Sequence, residues 1–513
     1  MLVKTRGASL YGMDAIGIQV EVNVSMGQGY CIVGLPDTAV KESLHRTEIA
    51  IKANGFQMPR TKLVINLAPA DIKKTGPAFD LPIAIGILAA SDQIVNSKVL
   101  SDYLMMGELS LNGALQPIKG VLAMAIYAKE AGLAGLIIPT INAAEASLIE
   151  GLKVYAFDHL TEVTHFCNHP DSCSPFQQID TDKEIPISYP VDFSFIKGQF
   201  QAKRAIEIAA AGGHNLIMIG PPGAGKTLLA KTSISILPTM SHSETLETSK
   251  VYSLVGKLSP KAGLMQTRPF RNPHHSLSAI ALVGGGSIPQ PGEISMAHNG
   301  VLFLDELPEF SRVAIEVLRQ PMEAGFVRIS RSRQTVEFPS RFMLFASMNP
   351  CPCGYFNHPQ KACTCSPSSV GKYLHKISGP LLDRIDLQIE VVPVTYEELT
   401  NHTMTENSLT IRNRVQNARS IQLNRYAERP GINTNAQMQS YDLKEWAQLD
   451  VVSANLLKMA MEQFHLSARA YDRIIKVART IADLDGSKEI QNQHISESIQ
   501  YRILDRASWG QAY

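Results

Sequence analysis

Apolar positions along the chain fall at two periods, and the elements change where the period changes. Ile18-Gln-Val-Glu-Val-Asn-Val24 alternates strictly, which predicts a half-buried strand. Asp37 stands as a helix cap before a helical stretch reaching about Asn54; Lys62 to Leu67 reads as a strand and Asp80 to about Ile94 as a helix. Gly107 to Pro139, GELSLNGALQPIKGVLAMAIYAKEAGLAGLIIP, predicts a hairpin around Asn112-Gly113, then a helix and a buried strand. This third of the chain is therefore an α/β unit.

Further on, the apolar run Leu216 to Ile219 predicts a buried parallel strand, and it breaks into Gly220-Pro-Pro-Gly-Ala-Gly-Lys226-Thr227 before a helical pattern resumes. Strand, glycine-rich loop and helix in that order form a phosphate cradle. Gly220, Gly223 and Gly225 let backbone N–H groups wrap phosphate oxygens, Lys226 adds a charge near the β and γ phosphates of ATP, and Thr227 can ligate Mg²⁺. The helix N-terminus adds partial positive charge. Downstream, Val301-Leu-Phe-Leu ends in Asp305-Glu306, a strand whose carboxylates face the same crevice. Asp305 is assigned to Mg²⁺ and Glu306 to the attacking water.

From about Tyr396 the pattern turns mostly helical. MEQFHLSARAYDRIIKVARTIADL has the spacing of an amphipathic helix pair broken near His465. Between Glu323 and Pro339 the chain predicts a hairpin, Phe326 to Ile329 and Thr335 to Phe338, with the basic tip Ser330-Arg-Ser-Arg-Gln334.

At 513 residues, about three domains are expected. The boundaries read as an α/β domain at 1–167, a Pro-, Asp- and Ser-rich linker at 168–191, a nucleotide-binding core at 192–395 and a helical lid at 396–513. With 48 Lys and Arg against 47 Asp and Glu, any nucleic-acid contact must come from local basic patches. The N-terminus lacks an apolar signal core and no run is long enough to span a bilayer, so a soluble cytoplasmic protein without membrane contact is expected. Seven cysteines, four of them between Cys351 and Cys365, point to a metal site in a reducing compartment. Cys351, Cys353, Cys363 and Cys365 can close a tetrahedral Zn²⁺ site, with free thiols or a redox pair as alternatives and His358 as a substitute ligand. His165, Cys167, His169 and Cys173 match no compact ligand pattern.

The segment from Gly107 to Pro139 resembles the proteolytic domain of Lon protease, and TGPAFDLP, Thr75 to Pro82, resembles the segment bearing its nucleophile. The nucleophile position reads Ala78 and the catalytic lysine position Leu122, so a Ser-Lys mechanism has no parts. From Phe195 onward, FIKGQ and AKRAIEIAAAGGHNLIMIGPPGAGKT resemble the AAA+ ATPases of the magnesium-chelatase clade. RPFRNPHHS, ALVGGGSIPQPGEISMAHNGVLFLDELPEF and SGPLLDRIDLQIEV resemble the YifB/ComM family in particular. The resemblance spans the whole chain.

It implies a Lon-like N-terminal domain, an AAA+ core and a helical lid, assembled as a homo-hexamer. By position, Asn349 is similar to sensor 1, Arg384 to an arginine finger offered by a neighbouring subunit, and Arg469 to sensor 2. The hairpin would point into a ring channel, making Arg328, Arg331 and Arg333 candidates for a DNA backbone; a solvated hairpin would favour arginine as well. Gly284-Gly-Gly-Ser287 resembles a mobile insertion of the clade. The activity implied is an ATP-driven DNA helicase that promotes branch migration in homologous recombination during natural transformation, acting on single-stranded, forked or branched DNA. A chelatase-type remodeller of a protein partner is the alternative, separated from it by the basic hairpin together with an N-terminal domain that a minimal chelatase motor subunit would not need.

Overall fold

The structure, a computed structural model, describes residues 1–96, 100–177, 189–258, 263–286, 288–331, 334–356, 358, 361–400, 406–429 and 431–502. Its N-terminal part is built on a mixed sheet ordered Tyr30–Val33, Lys62–Ala68, Asp14–Ser25, Leu2–Tyr11, Tyr103–Met105, Gly135–Pro139, Val154–Phe157. The alternation from Ile18 is realised within Asp14–Ser25, where Ile18, Val20 and Val22 are buried. Its antiparallel partner Leu2–Tyr11 was not expected, and turns Val3, Thr5, Gly7 and Ser9 inward. Asp37 caps the helix Thr38–Ala53 by accepting from the Val40 N–H. The helix Asp80–Ala90 is buried on every side, which its unbroken apolar sequence requires. It ends four residues before the expected Ile94, at a cap on Ser91.

The second sheet is wholly parallel and ordered Phe270–Arg271, Val301–Leu304, Met343–Met348, Leu216–Ile219, Leu387–Glu390. Its three central strands are buried throughout, as a parallel sheet covered on both faces demands. Met343–Met348 is inserted between the strand that leads into the glycine-rich loop and the strand that ends at Asp305. The segments that follow these three strands therefore emerge side by side at one sheet end.

The C-terminal helices are Ser408–Arg425, Ser440–Trp446, Val451–Phe464, Ala468–Leu484 and Asn492–Gln500. His465, at φ 52°, breaks the expected helix pair. Ile411, Val415, Val477 and Ile481 pack into the same apolar cluster as Leu216 and Phe345, so the C-terminal helices are anchored on the parallel sheet's own core. Among the described residues, no helix is long and apolar enough to cross a membrane.

The N-terminal sheet also reaches the half of the chain built on the parallel sheet. The turn between its first two strands places Leu10 and Met13 against the cluster that holds Val327, Ile329, Val336 and Phe338. Asp14 pairs with Lys250 at 2.8 Å, and the Tyr11 hydroxyl donates to the Thr335 carbonyl at 3.2 Å.

Candidate nucleotide site and adjoining loops

The strand Leu216–Ile219 delivers the chain to Gly220, and the helix Lys226–Thr232 begins directly after Gly225. Gly223 and Gly225 sit at φ 79° and 88°, a backbone region that favours glycine, and a Cβ at either would face open space. The open space beside these two glycines leaves room for phosphate oxygens, whereas the Gly220 N–H donates to the Met348 carbonyl at 3.2 Å. Lys226 is buried; its Nζ donates to the carbonyls of Gly220 at 2.6 Å and Pro221 at 2.9 Å, and to Asn349 Oδ1 at 3.2 Å. Burial pushes its pKa down, and the nearby Asp305 and Glu306 carboxylates oppose the shift. A further anion would relieve the same desolvation.

Thr227 Oγ1 donates to Asp305 Oδ2 at 2.6 Å, bringing together a hydroxyl and a carboxylate of the type that holds Mg²⁺. Ser347, which was not anticipated, donates its hydroxyl to the other Asp305 oxygen and accepts the Glu306 N–H at 3.2 Å. The one signal for it is a polar residue near the carboxyl end of an apolar strand. Glu306 adopts φ 54°, a left-handed conformation rare outside glycine, and this breaks the strand alternation that would aim it away from Asp305. Its carboxylate is half-exposed and lies 4.0 Å from His275 Nδ1, a neighbour likewise missed.

Asn349 is thus beside Lys226, whereas Arg384 and Arg469 are elsewhere. Arg384 precedes the strand Leu387–Glu390, and its carbonyl accepts from Asn215 at 3.0 Å, at the amino end of the loop strand. Crossing a four-residue strand takes about 13 Å, so Arg384 cannot serve the glycine-rich loop of its own chain. Its guanidinium donates to the Pro380 carbonyl at 2.5 Å and pairs with Glu323. Arg469 pairs with Asp383 at 3.3 Å, on the same edge as Arg384.

The turn after Asn349 brings four thiols together. Cys351, Cys353 and Cys363 have sulfur separations of 3.3 to 3.7 Å, and with Cys365 all four lie within 4.8 Å of one another. Tetrahedral zinc with Zn–S bonds of about 2.3 Å places its sulfurs about 3.8 Å apart, so the set fits the ion. His358 is outside the group: its Nδ1 accepts from the Lys361 N–H at 3.1 Å and its ring stands against Tyr355. Among the described residues, this is the one such gathering of potential metal ligands; His165, Cys167, His169 and Cys173 form none. Gly354 lies against Pro222, where a Cβ would approach to 2.5 Å, so the cysteine loop rests on the glycine-rich loop.

The basic hairpin is Phe326–Arg331 paired with Gln334–Pro339. Arg328 pairs with Glu337 across the ladder at 2.6 Å. Arg331 ends the first strand, while Ser332 and Arg333 lie outside the described residues, as do Ser287 and residues 178–188 of the linker. In the N-terminal part, Ala78 occupies the short helix Pro77–Phe79 and its carbonyl accepts the Gly107 N–H at 2.9 Å; Leu122 is fully buried. A methyl and an isobutyl group stand where a peptidase of the Lon type would hold its nucleophile and amine.

Comparison with known proteins agrees with this architecture. Models for magnesium chelatase subunit ChlI match residues 192–399 and 20–142, and the model for the C-terminal part of that subunit matches 405–502. The chain is 43% identical over 508 residues to the uncharacterized protein YifB of Escherichia coli, covering 98% of this chain and 97% of that protein. It is 42% identical over 508 residues to competence protein ComM of Haemophilus influenzae, covering 97% and 98% respectively. Lon protease 2 of Bacillus subtilis is 26% identical over 198 residues, 35% of each chain. With its Lon-like N-terminal region, glycine-rich loop and parallel core, the chain belongs to the magnesium-chelatase-like AAA+ ATPase family that includes YifB and ComM.

Proposed function

We propose that this protein is an ATP-driven DNA motor, working as a homo-hexamer and promoting branch migration when incoming DNA is recombined during natural transformation. The name of its competence relative supports the setting. The observation that carries the motor reading is a single strand, Met343–Met348. At its carboxyl end stands Asn349, bonded to Lys226; at its amino end the chain leaves the basic hairpin. A change in the nucleotide site thus has a short, rigid path to the hairpin.

In this reading Lys226 and the loop N–H groups bind the phosphates, and Thr227 and Asp305 hold Mg²⁺, which neutralises phosphate charge when bound. Glu306, aimed by Ser347 and its left-handed backbone, takes the proton of the attacking water. Asn349 orients that water or the γ-phosphate. Arg384 and Arg469, on the edge away from their own loop, are offered to a neighbouring copy. The four cysteines hold a structural Zn²⁺.

The test is the ATPase rate with and without single-stranded and forked DNA, in the native chain and in a triple variant replacing Arg328, Arg331 and Arg333 with Ala. Stimulation by DNA is expected, with basal hydrolysis kept in the variant. Its affinity should depend less on salt, the logarithmic slope falling by about 2 if each arginine releases about 0.7 counterion from a single strand. Indifference to every nucleic acid would instead favour the remodeller of a protein partner. The Arg328–Glu337 pair, which leaves the hairpin stem less positive than its sequence, is the feature on that side.

A further inference from the structure

A cavity of about 590 Å³ opens beside the helix Arg319–Ala324, and Arg319, Glu316, Glu323 and Arg384 line it. Two guanidinium groups face one space. Arg384 is 7% exposed, with both terminal nitrogens engaged by Pro380 and Glu323, yet its Nε has no partner among the described residues. Arg319, with a side chain 40% exposed, pairs with Glu316 at 2.8 Å through one terminal nitrogen, and its Nε is buried with no partner among the described residues. A buried N–H that lacks an acceptor is costly, and both such groups belong to arginines that line one cavity, a concentration of positive charge that suits an anion.

We propose that Arg319 is a second phosphate-directed arginine. Together with Arg384 it takes the terminal phosphates of the nucleotide held by a second copy of this chain, and Glu316 and Glu323 occupy the two arginines until that anion arrives. This rests on the reading that Arg384 is donated to a neighbour, and adds a residue and an ion-pair exchange to it. Planar guanidinium groups bind phosphate oxygens in pairs, so each arginine can trade a carboxylate for a phosphate without being left uncompensated. The exchange has a mechanical consequence. Glu323 lies three residues before the strand Phe326–Arg331, so releasing it frees the root of the hairpin as the neighbour binds ATP.

Subunit mixing tests this in the assembled protein. Arg319→Ala alone should lower kcat by on the order of 100-fold, while a fluorescent ATP analogue binds as in the native chain. Mixed with Lys226→Ala subunits, it should regain hydrolysis well above the two separate variants, because each productive interface then draws its loop from one and its arginines from the other. Arg384→Ala is mixed in parallel, with co-assembly shown by pull-down of a tagged subunit. Recovery for Arg384→Ala and not for Arg319→Ala overturns the role of Arg319 and leaves the donated finger standing. Recovery for neither removes the donated finger and this inference with it, and native kcat in Arg319→Ala overturns the inference alone. If Arg319→Ala fails to fold, Arg319→Lys keeps the charge and loses the fork; it should still lose kcat and be rescued in the mixture, and native kcat there counts against the inference.

Discussion

Lys226 and Glu306 border one crevice, but their surroundings assign them different failures. Lys226 is bound into the loop itself by two carbonyls and Asn349, so Lys226→Ala should abolish nucleotide binding. Glu306 is tied through its backbone N–H to Ser347 and, among the described residues, makes no hydrogen bond to the glycine-rich loop, so Glu306→Gln should bind ATP normally and hydrolyse it on the order of 100-fold more slowly. Equal loss of binding in both would refute this division. Asp386 shows what a buried charge does away from the chemistry. Burial opposes its ionisation, but the Arg473 charge at 2.8 Å, His214 and the Asn215 N–H outweigh burial and hold its carboxyl below the usual range. A depressed carboxylate stabilises the fold fully above its unfolded pKa of about 4, and that contribution fades as pH falls toward the folded value. Asp386→Asn should therefore cost about 3 to 5 kcal/mol at neutral pH, since Arg473 loses its partner. Urea unfolding should show that gap narrowing below about pH 4; a gap independent of pH would mean packing, not charge, is what the substitution removes.

At the scale of elements, the cysteine loop lies directly against the glycine-rich turn. Because Gly354 rests on Pro222, ordering the loop with Zn²⁺ should steady the glycine-rich turn. Metal analysis should find about one zinc per chain, and stripping it with a chelator should weaken ATP binding before it unfolds the parallel sheet. Protein purified under zinc-retaining conditions with no metal would remove the site. The elements legible in the sequence are those whose pattern is local. Leu216 to Thr227 states strand, loop and helix within twelve positions, and Val301 to Glu306 states a strand and its carboxylates. The hairpin at 326–339 and the break at His465 were equally readable. Leu2–Tyr11 was not, because Thr5, Gly7 and Ser9 take inward places where apolar side chains would have shown the period. Ser347 and His275 were missed for another reason: their partners Asp305 and Glu306 lie far along the chain, and no local spacing encodes that.

At the scale of the molecule, the Lon-like N-terminal region carries Ala78 and Leu122 rather than a serine and a lysine, and it packs against the basic hairpin. Leu10 and Met13 enter the apolar cluster beneath the basic hairpin, Tyr11 bonds the hairpin backbone at Thr335, and Asp14 holds Lys250. The glycine at position 12 is pressed on Val336 so closely that a Cβ would come within 2.8 Å. The turn therefore braces the hairpin from outside, while the strand Met343–Met348 holds it from within. Removing Leu10 and Met13 side chains should loosen one support and leave the other. In Leu10→Ala/Met13→Ala, backbone hydrogen exchange should quicken across Phe326–Pro339 and stay native along Leu216–Ile219, because the parallel core keeps all its own contacts. The loss should be about 1 to 3 kcal/mol, less than for fully buried leucines, since both side chains are only partly covered. Basal ATPase should survive, and any stimulation by forked DNA should fall, because a hairpin with a loose root transmits less of each nucleotide-driven step. Unchanged exchange across the hairpin, with folding intact, would show that the two halves merely touch at this turn.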